Sequence, residues 1–160
     1  MSKFTLAALA LIAAVAAPLC ISVAQAHSYR VGTITIDHPW APATRTGTPV
    51  GVAYMTISNA APVPVLLLGV SSPIADKVEI HSMSMDGGIM RMRPVAGGVT
   101  IPARGKISFG PSGLHMMLLG LRKTLEVEEM EPMTLTFRGG LTIKVDLYIE
   151  TSPMGGGHQH

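Results

Sequence analysis

Leu141 to Glu150 reads LTIKVDLYIE, in which Leu141, Ile143, Val145, Leu147 and Ile149 alternate without a break with Thr142, Lys144, Asp146, Tyr148 and Glu150. A period of two puts the five apolar side chains on one face, the signature of a strand with one side on a core. The preceding Arg138-Gly139-Gly140-Leu141 reads as a tight hairpin, so Met133 to Arg138 becomes its partner strand. Working outward, Tyr29–Asp37, Gly51–Ser58, Pro64–Ser71, Lys77–Met83, Ile89–Val95, Lys106–Phe109 and His115–Leu121 carry the same kind of pattern between Gly- and Pro-rich turns. Many short strands at this spacing imply an all-β sandwich or barrel. Leu121 to Pro132 breaks the pattern and is expected to be loop. Pro132 blocks a helix from running into the next strand, and Glu126, Glu128 and Glu129 form a solvated face. No internal repeat is visible.

Residues 1–26 have the form of a cleaved export signal. Lys3 supplies the positive start, Leu6 to Val23 the apolar stretch, and Ala24-Gln25-Ala26 a small-x-small cleavage site. The only cysteine, Cys20, lies inside this segment behind Leu19, where a lipoprotein cleavage site wants a small residue. The mature protein is therefore expected to lack thiols and disulfides, to be periplasmic and soluble, and to have no membrane span after processing. Its domain is 27–150, followed by a flexible Met- and His-containing tail at 151–160. Basic and acidic residues nearly cancel and no basic run is interleaved with aromatics, which excludes a nucleic-acid partner.

The chemistry is concentrated between His81 and Met117. VEIHSMSMDGG is followed by IMRMRPV and, after a Gly-rich connection, by FGPSGLHMMLLGL. Thioether sulfur is polarisable, uncharged and never protonated near neutral pH, so it favours Cu(I) and hardly binds hard ions. Imidazole suits copper in either oxidation state. Two neutral imidazoles and two neutral thioethers leave the ion a monocation, which a partly desolvated site tolerates better than a dication. Strand parity places Glu79, His81 and Met83 on one face, Met90 with Met92, and His115 with Met117, whereas Met116 points with Leu118 to the core. His81, Met92, His115 and Met117 are the expected metal ligands, with Met83 and Met90 as auxiliaries. A blue-copper electron carrier is excluded because it needs a cysteine thiolate.

His81 and Met92 have ten residues between them, and His115-Met116-Met117 supplies a His-x-Met. This arrangement resembles the signature of the PCu(A)C-type periplasmic copper chaperones. Two departures stand out: twenty-two residues separate Met92 from His115 where that pattern has twenty-one, and Ser82 stands where some members carry a second Met. The likeness extends through HPWAPAT, AYMTISN and LTIKVDLYIE. It implies a single-domain, cupredoxin-like Greek-key sandwich or barrel. It also implies a non-enzymatic carrier that delivers Cu(I) to the copper centre of a respiratory (cytochrome c) oxidase, with the oxidase subunit or a thiol-bearing assembly factor as partner.

Two other functions share parts of this sequence. A periplasmic copper buffer conferring resistance would use the same site with another destination. A copper-dependent oxidative enzyme would instead centre Cu(II) on His27, the first residue after cleavage, with His38. His158 and His160 in the tail are expected to capture Cu(II). Met55 and Met130 are expected to be core fillers, and His38 to belong to a structural turn in which Trp40 covers the core edge.

Overall fold

The computed structural model describes residues 27–151, so the signal peptide assigned to 1–26 and the tail histidines His158 and His160 lie outside the described residues. Eleven strands account for nearly all regular structure there: β1 (Ser28–Val31), β2 (Ile34–Pro42), β3 (Val50–Asn59), β4 (Val65–Ser71), β5 (Ala75–Asp86), β6 (Ile89–Pro94), β7 (Val99–Ile101), β8 (Gly105–Phe109), β9 (Leu114–Leu121), β10 (Met130–Phe137) and β11 (Thr142–Glu150). They form one continuous sheet in the order β6-β5-β9-β8-β3-β2-β11-β10-β4-β7, with β1 paired to β2 and β9 also paired to β3. The sheet folds over so that β4 packs against β5 without pairing to it, which makes a sandwich from a single ribbon. All pairings are antiparallel except β11 with β2 and β8 with β9.

Inward-facing alternate residues make the core. Ile143, Val145, Leu147 and Ile149 of β11 are all buried, as the period of two requires, and they meet Met133, Leu135 and Phe137 of β10. Met55 and Met116 are also core residues, 2% and 0% exposed. Two glycine pairs make the sharp turns: Gly87 and Gly88 (φ +58° and +78°) join β5 to β6 directly, and Gly139 and Gly140 (φ +89° and +85°) join β10 to β11. Only glycine takes these positive angles cheaply, and two in succession give the hairpin turn whose twist matches that of strands.

Four details depart from the alternation read in the sequence. Tyr29–Asp37 is two strands, separated by a turn at Gly32 and Thr33. HPWAP is no turn but the second half of β2. His38 (φ +48°) forms a bulge that shifts the register against β3, so that Pro39 and Ala41 point inward and Trp40 outward onto Tyr54, with ring centroids 4.9 Å apart. Met130 is 52% exposed at the start of β10 and fills no core. β7, three residues long on the sheet edge, is too short to show a period.

Candidate metal centre

β5 is the spine of the site. It pairs with β6 on one side and β9 on the other, and opposite residues in an antiparallel ladder project from the same face. His81 stands opposite His115 on β9 and Pro94 on β6. One row nearer the turn, Met83 is opposite Met92, and in the next row Met85 is opposite Met90. On the other side of His81, Glu79 is opposite Met117, which β3 flanks with Val52. One outer face thus displays Glu79, His81, Met83, Met85, Met90, Met92, His115 and Met117. Ile80, Met116 and Leu118 of the alternate parity are buried in the core beneath.

The two imidazoles are the most constrained members. Their ring centroids lie 5.9 Å apart. His115 is only 3% exposed, and the His81 side chain 16%. Each ring has one nitrogen engaged: His81 Nε2 contacts the Glu79 carboxylate at 2.9 Å, and His115 Nδ1 contacts the Gly113 carbonyl at 3.4 Å. Both partners are acceptors, so each of these nitrogens donates, and a neutral ring then leaves its other nitrogen with a free lone pair. Among the described residues, those two nitrogens, His81 Nδ1 and His115 Nε2, are the only buried side-chain nitrogen or oxygen atoms without a hydrogen-bond partner. Leaving such an atom unsatisfied costs on the order of 1–3 kcal/mol, so native proteins rarely keep one without a use.

The supports are built to hold this arrangement. Hydrogen bonds from Lys77 first, and from His81 second, hold the Glu79 carboxyl below its ordinary range, so it is an ionised acceptor at neutral pH. Gly113, at φ +104°, turns its carbonyl so that it takes the Met83 N–H at 2.8 Å as well as facing His115. A carboxylate or carbonyl behind a histidine, fixing its tautomer, is the usual outer shell of a metal-binding imidazole. Neither support was assigned in the sequence, although Glu79-x-His81 is a same-face pair and was legible as one.

Among the described residues, no three His, Cys, Asp or Glu side chains are grouped as a metal would need, so any site here must draw on methionine. Neutral imidazoles and thioethers suit a soft monocation and offer nothing to a hard one. The other two described histidines, His27 and His38, lie elsewhere. The His27 ring stacks on Tyr148 at 5.6 Å, and His38 Nε2 faces Glu150 Oε1 at 3.2 Å. No helix of the described residues is long and apolar enough to cross a membrane.

Most of the described residues are similar to known proteins. The LpqE-like family model matches residues 34–149. Lxx21020 of Leifsonia xyli subsp. xyli, which bears a lipoprotein name, is 26% identical over 122 residues, 76% of this chain and 72% of its own. Among solved structures, the copper-bound PCuAC domain from PmoF2 superposes with a TM-score of 0.67 at 28% identity, covering 78% of this chain and 98% of that one. The solution structure of CuI-DR1885 from Deinococcus radiodurans superposes with a TM-score of 0.57 at 30% identity, covering 81% and 85%. A match through β2 to β11, shared with solved domains that cover the same ribbon, means that this chain belongs to the LpqE-like family and to the PCuAC-type copper-chaperone family that its His and Met spacing resembles.

Proposed function

We propose that the protein carries Cu(I) on the outer face of β5, β6 and β9, with His81, His115, Met117 and Met92 as ligands and Met83 next in line to replace Met92. The observation that carries this reading is the pair of buried, unpartnered nitrogens, His81 Nδ1 and His115 Nε2, on a face of thioethers. Binding of copper by the PmoF2 domain and of Cu(I) by DR1885 supports the choice of ion. The lipoprotein names among the relatives, together with the signal-like 1–26, support export, and the periplasm is the compartment proposed.

A carrier must hold its ion firmly yet release it to a partner's ligands one bond at a time. The two histidines supply the firm part, because their rings are fixed from behind. The thioethers supply the labile part, since a neutral Cu–S bond can be given up without moving a proton or a charge. The recipient proposed is the copper centre of a respiratory oxidase subunit, reached directly or through a thiol-bearing assembly factor. No substrate is turned over.

The test is an anaerobic Cu(I) titration of the processed protein, read by X-ray absorption. A mixed shell with nitrogen at ~2.0 Å and sulfur at ~2.3 Å is the expected result. Mixing the loaded protein with the copper-receiving domain of the oxidase subunit should then move the ion across. Retention of copper in that second step would make the protein a buffer, and a shell of nitrogen alone would remove the site altogether.

Glu79 provides a separate check on the outer shell. Replacing it by alanine releases His81 Nε2 and lets the ring change tautomer or rotate. The apparent Cu(I) affinity, measured against a competing chelator, should fall by roughly 10–100-fold, the usual cost of losing such a support. Glu79→Gln, which keeps an acceptor oxygen, should lose less. Equal affinity in all three proteins would mean that Glu79 only pairs with Lys77.

A further inference from the structure

The methionine face is longer than one coordination sphere. From the row of Glu79 and Met117 to the row of Met85 and Met90 there are six residue steps on β5, about 20 Å at ~3.3 Å per residue. An ion with bonds of ~2.0–2.3 Å cannot take donors from both ends. Met85 and Met90 are therefore left over from the site built around His81 and His115. They are not packing either: they are 68% and 61% exposed, and β6 is exposed along its whole length. The opposite face of the same hairpin carries Ser82, Ser84, Arg91 and Arg93, so this arm has one polar side and one thioether side and no core of its own.

Directly opposite side chains on paired strands have Cβ atoms about 4.5–5.5 Å apart, close enough for two flexible thioethers to close on one ion. The Gly87-Gly88 turn, one pair further on beyond Asp86 and Ile89, fixes that pairing. We infer that Met85 and Met90 form a second, outer station for a soft monovalent cation, Cu(I), through which the ion enters and leaves the inner site by way of Met83 and Met92. The inference rests on the inner site proposed above. With only two neutral donors and open solvent, the outer station binds more weakly than the inner one, and the gradient of affinity runs from the tip inward. The Met83–Met92 row, between the two, offers the intermediate step, with Met92 53% exposed and Met83 half-buried.

The experiment uses the processed protein with 13C-labelled methionine methyl groups, titrated anaerobically with Cu(I) and followed by NMR. The first equivalent should shift the Met117 methyl and the ring signals of His81 and His115, and the second should shift the methyls of Met85 and Met90. In the Met85→Leu, Met90→Leu double variant, apolar volume is kept and sulfur removed. The first equivalent should bind as before, the second should no longer be held, and transfer of Cu(I) to an external chelator should slow several-fold. Three results overturn the outer station alone while the inner signals respond: still methyls at Met85 and Met90, a double variant that holds the second ion, or unchanged transfer. Apolar docking of a partner on this arm, the rival use of two exposed methionines, would survive the leucine exchange. Silence from both sets of signals overturns the inner reading, and the outer one with it.

Discussion

Replacing His115 by leucine should weaken Cu(I) binding at the inner site by orders of magnitude while leaving the apoprotein at least as stable as before. The two effects have opposite signs for one physical reason. His115 is buried, its Nε2 has no partner, and its Nδ1 reaches the Gly113 carbonyl only at a long 3.4 Å. In the apoprotein the ring therefore bears a desolvation cost with little hydrogen bonding in return. Leucine fills similar space without that cost. For copper the loss is of a first ligand, which must exceed the roughly 10–100-fold cost of an outer-shell change, so a fall of about a thousandfold or more, some 4 kcal/mol, is expected. A competition titration with a Cu(I) chelator measures the first effect and urea unfolding the second. A histidine kept only for structure would give the reverse, with lower stability and unchanged copper. Met116→Leu is the neighbouring control, since Met116 is wholly buried in the core and a volume-conserving exchange there should cost less than about 1.5 kcal/mol and leave copper binding alone.

How much of this was legible beforehand can be judged from single residues. The alternation of LTIKVDLYIE announces β11 and its buried face, and parity alone groups His81 with Met83, Met90 with Met92, and His115 with Met117. Parity says nothing about register between strands, however. That His81 lies opposite His115 depends on how β5 slides along β9, and a shift of one residue would have turned one of the two rings to the core. Only the resemblance in spacing carried that information. The bulge at His38 was hidden because a positive φ at a residue other than glycine leaves no mark on a hydrophobic pattern, beyond the neighbouring Asp37 and His38 that both face away from the core. Residue type alone puts Met130 in the core, since methionine is usually buried, and nothing local says that β10 begins with it at the surface. Parity makes the Glu79 carboxylate a neighbour of His81 but not its support, because a sequence gives the shared face and not the 2.9 Å contact.

Stability should respond most to Phe137. It is the last residue of β10 and wholly buried, and it sits opposite Leu67 of β4 where the pairing register shifts. Its N–H also closes the β10–β11 hairpin on the Leu141 carbonyl at 2.8 Å. The chain has few large rings to share this duty: of its three phenylalanines one falls within residues 1–26, so Phe109 and Phe137 supply all the phenyl groups of the described core. Truncation to alanine removes the ring and leaves a cavity in the core, and the paired strands β10 and β4 cannot move far to fill it without breaking ladder hydrogen bonds. The expected cost is about 3–5 kcal/mol. Against a total near 5–15 kcal/mol for a domain of this kind, that is a large share. In urea the midpoint should fall with little change in slope, since the surface exposed on unfolding is nearly the same. Phe137→Leu, which keeps most of the volume, should lose much less. The backbone N–H remains in both variants, so any difference between them reports packing and not the hairpin bond. A loss within about 0.5 kcal/mol, the range of an ordinary surface position, would mean that the ring is not part of the core. Because the proposed metal face lies on β5, β6 and β9, the alanine variant should still bind Cu(I) at low denaturant, and the bound ion should raise its unfolding midpoint by linkage.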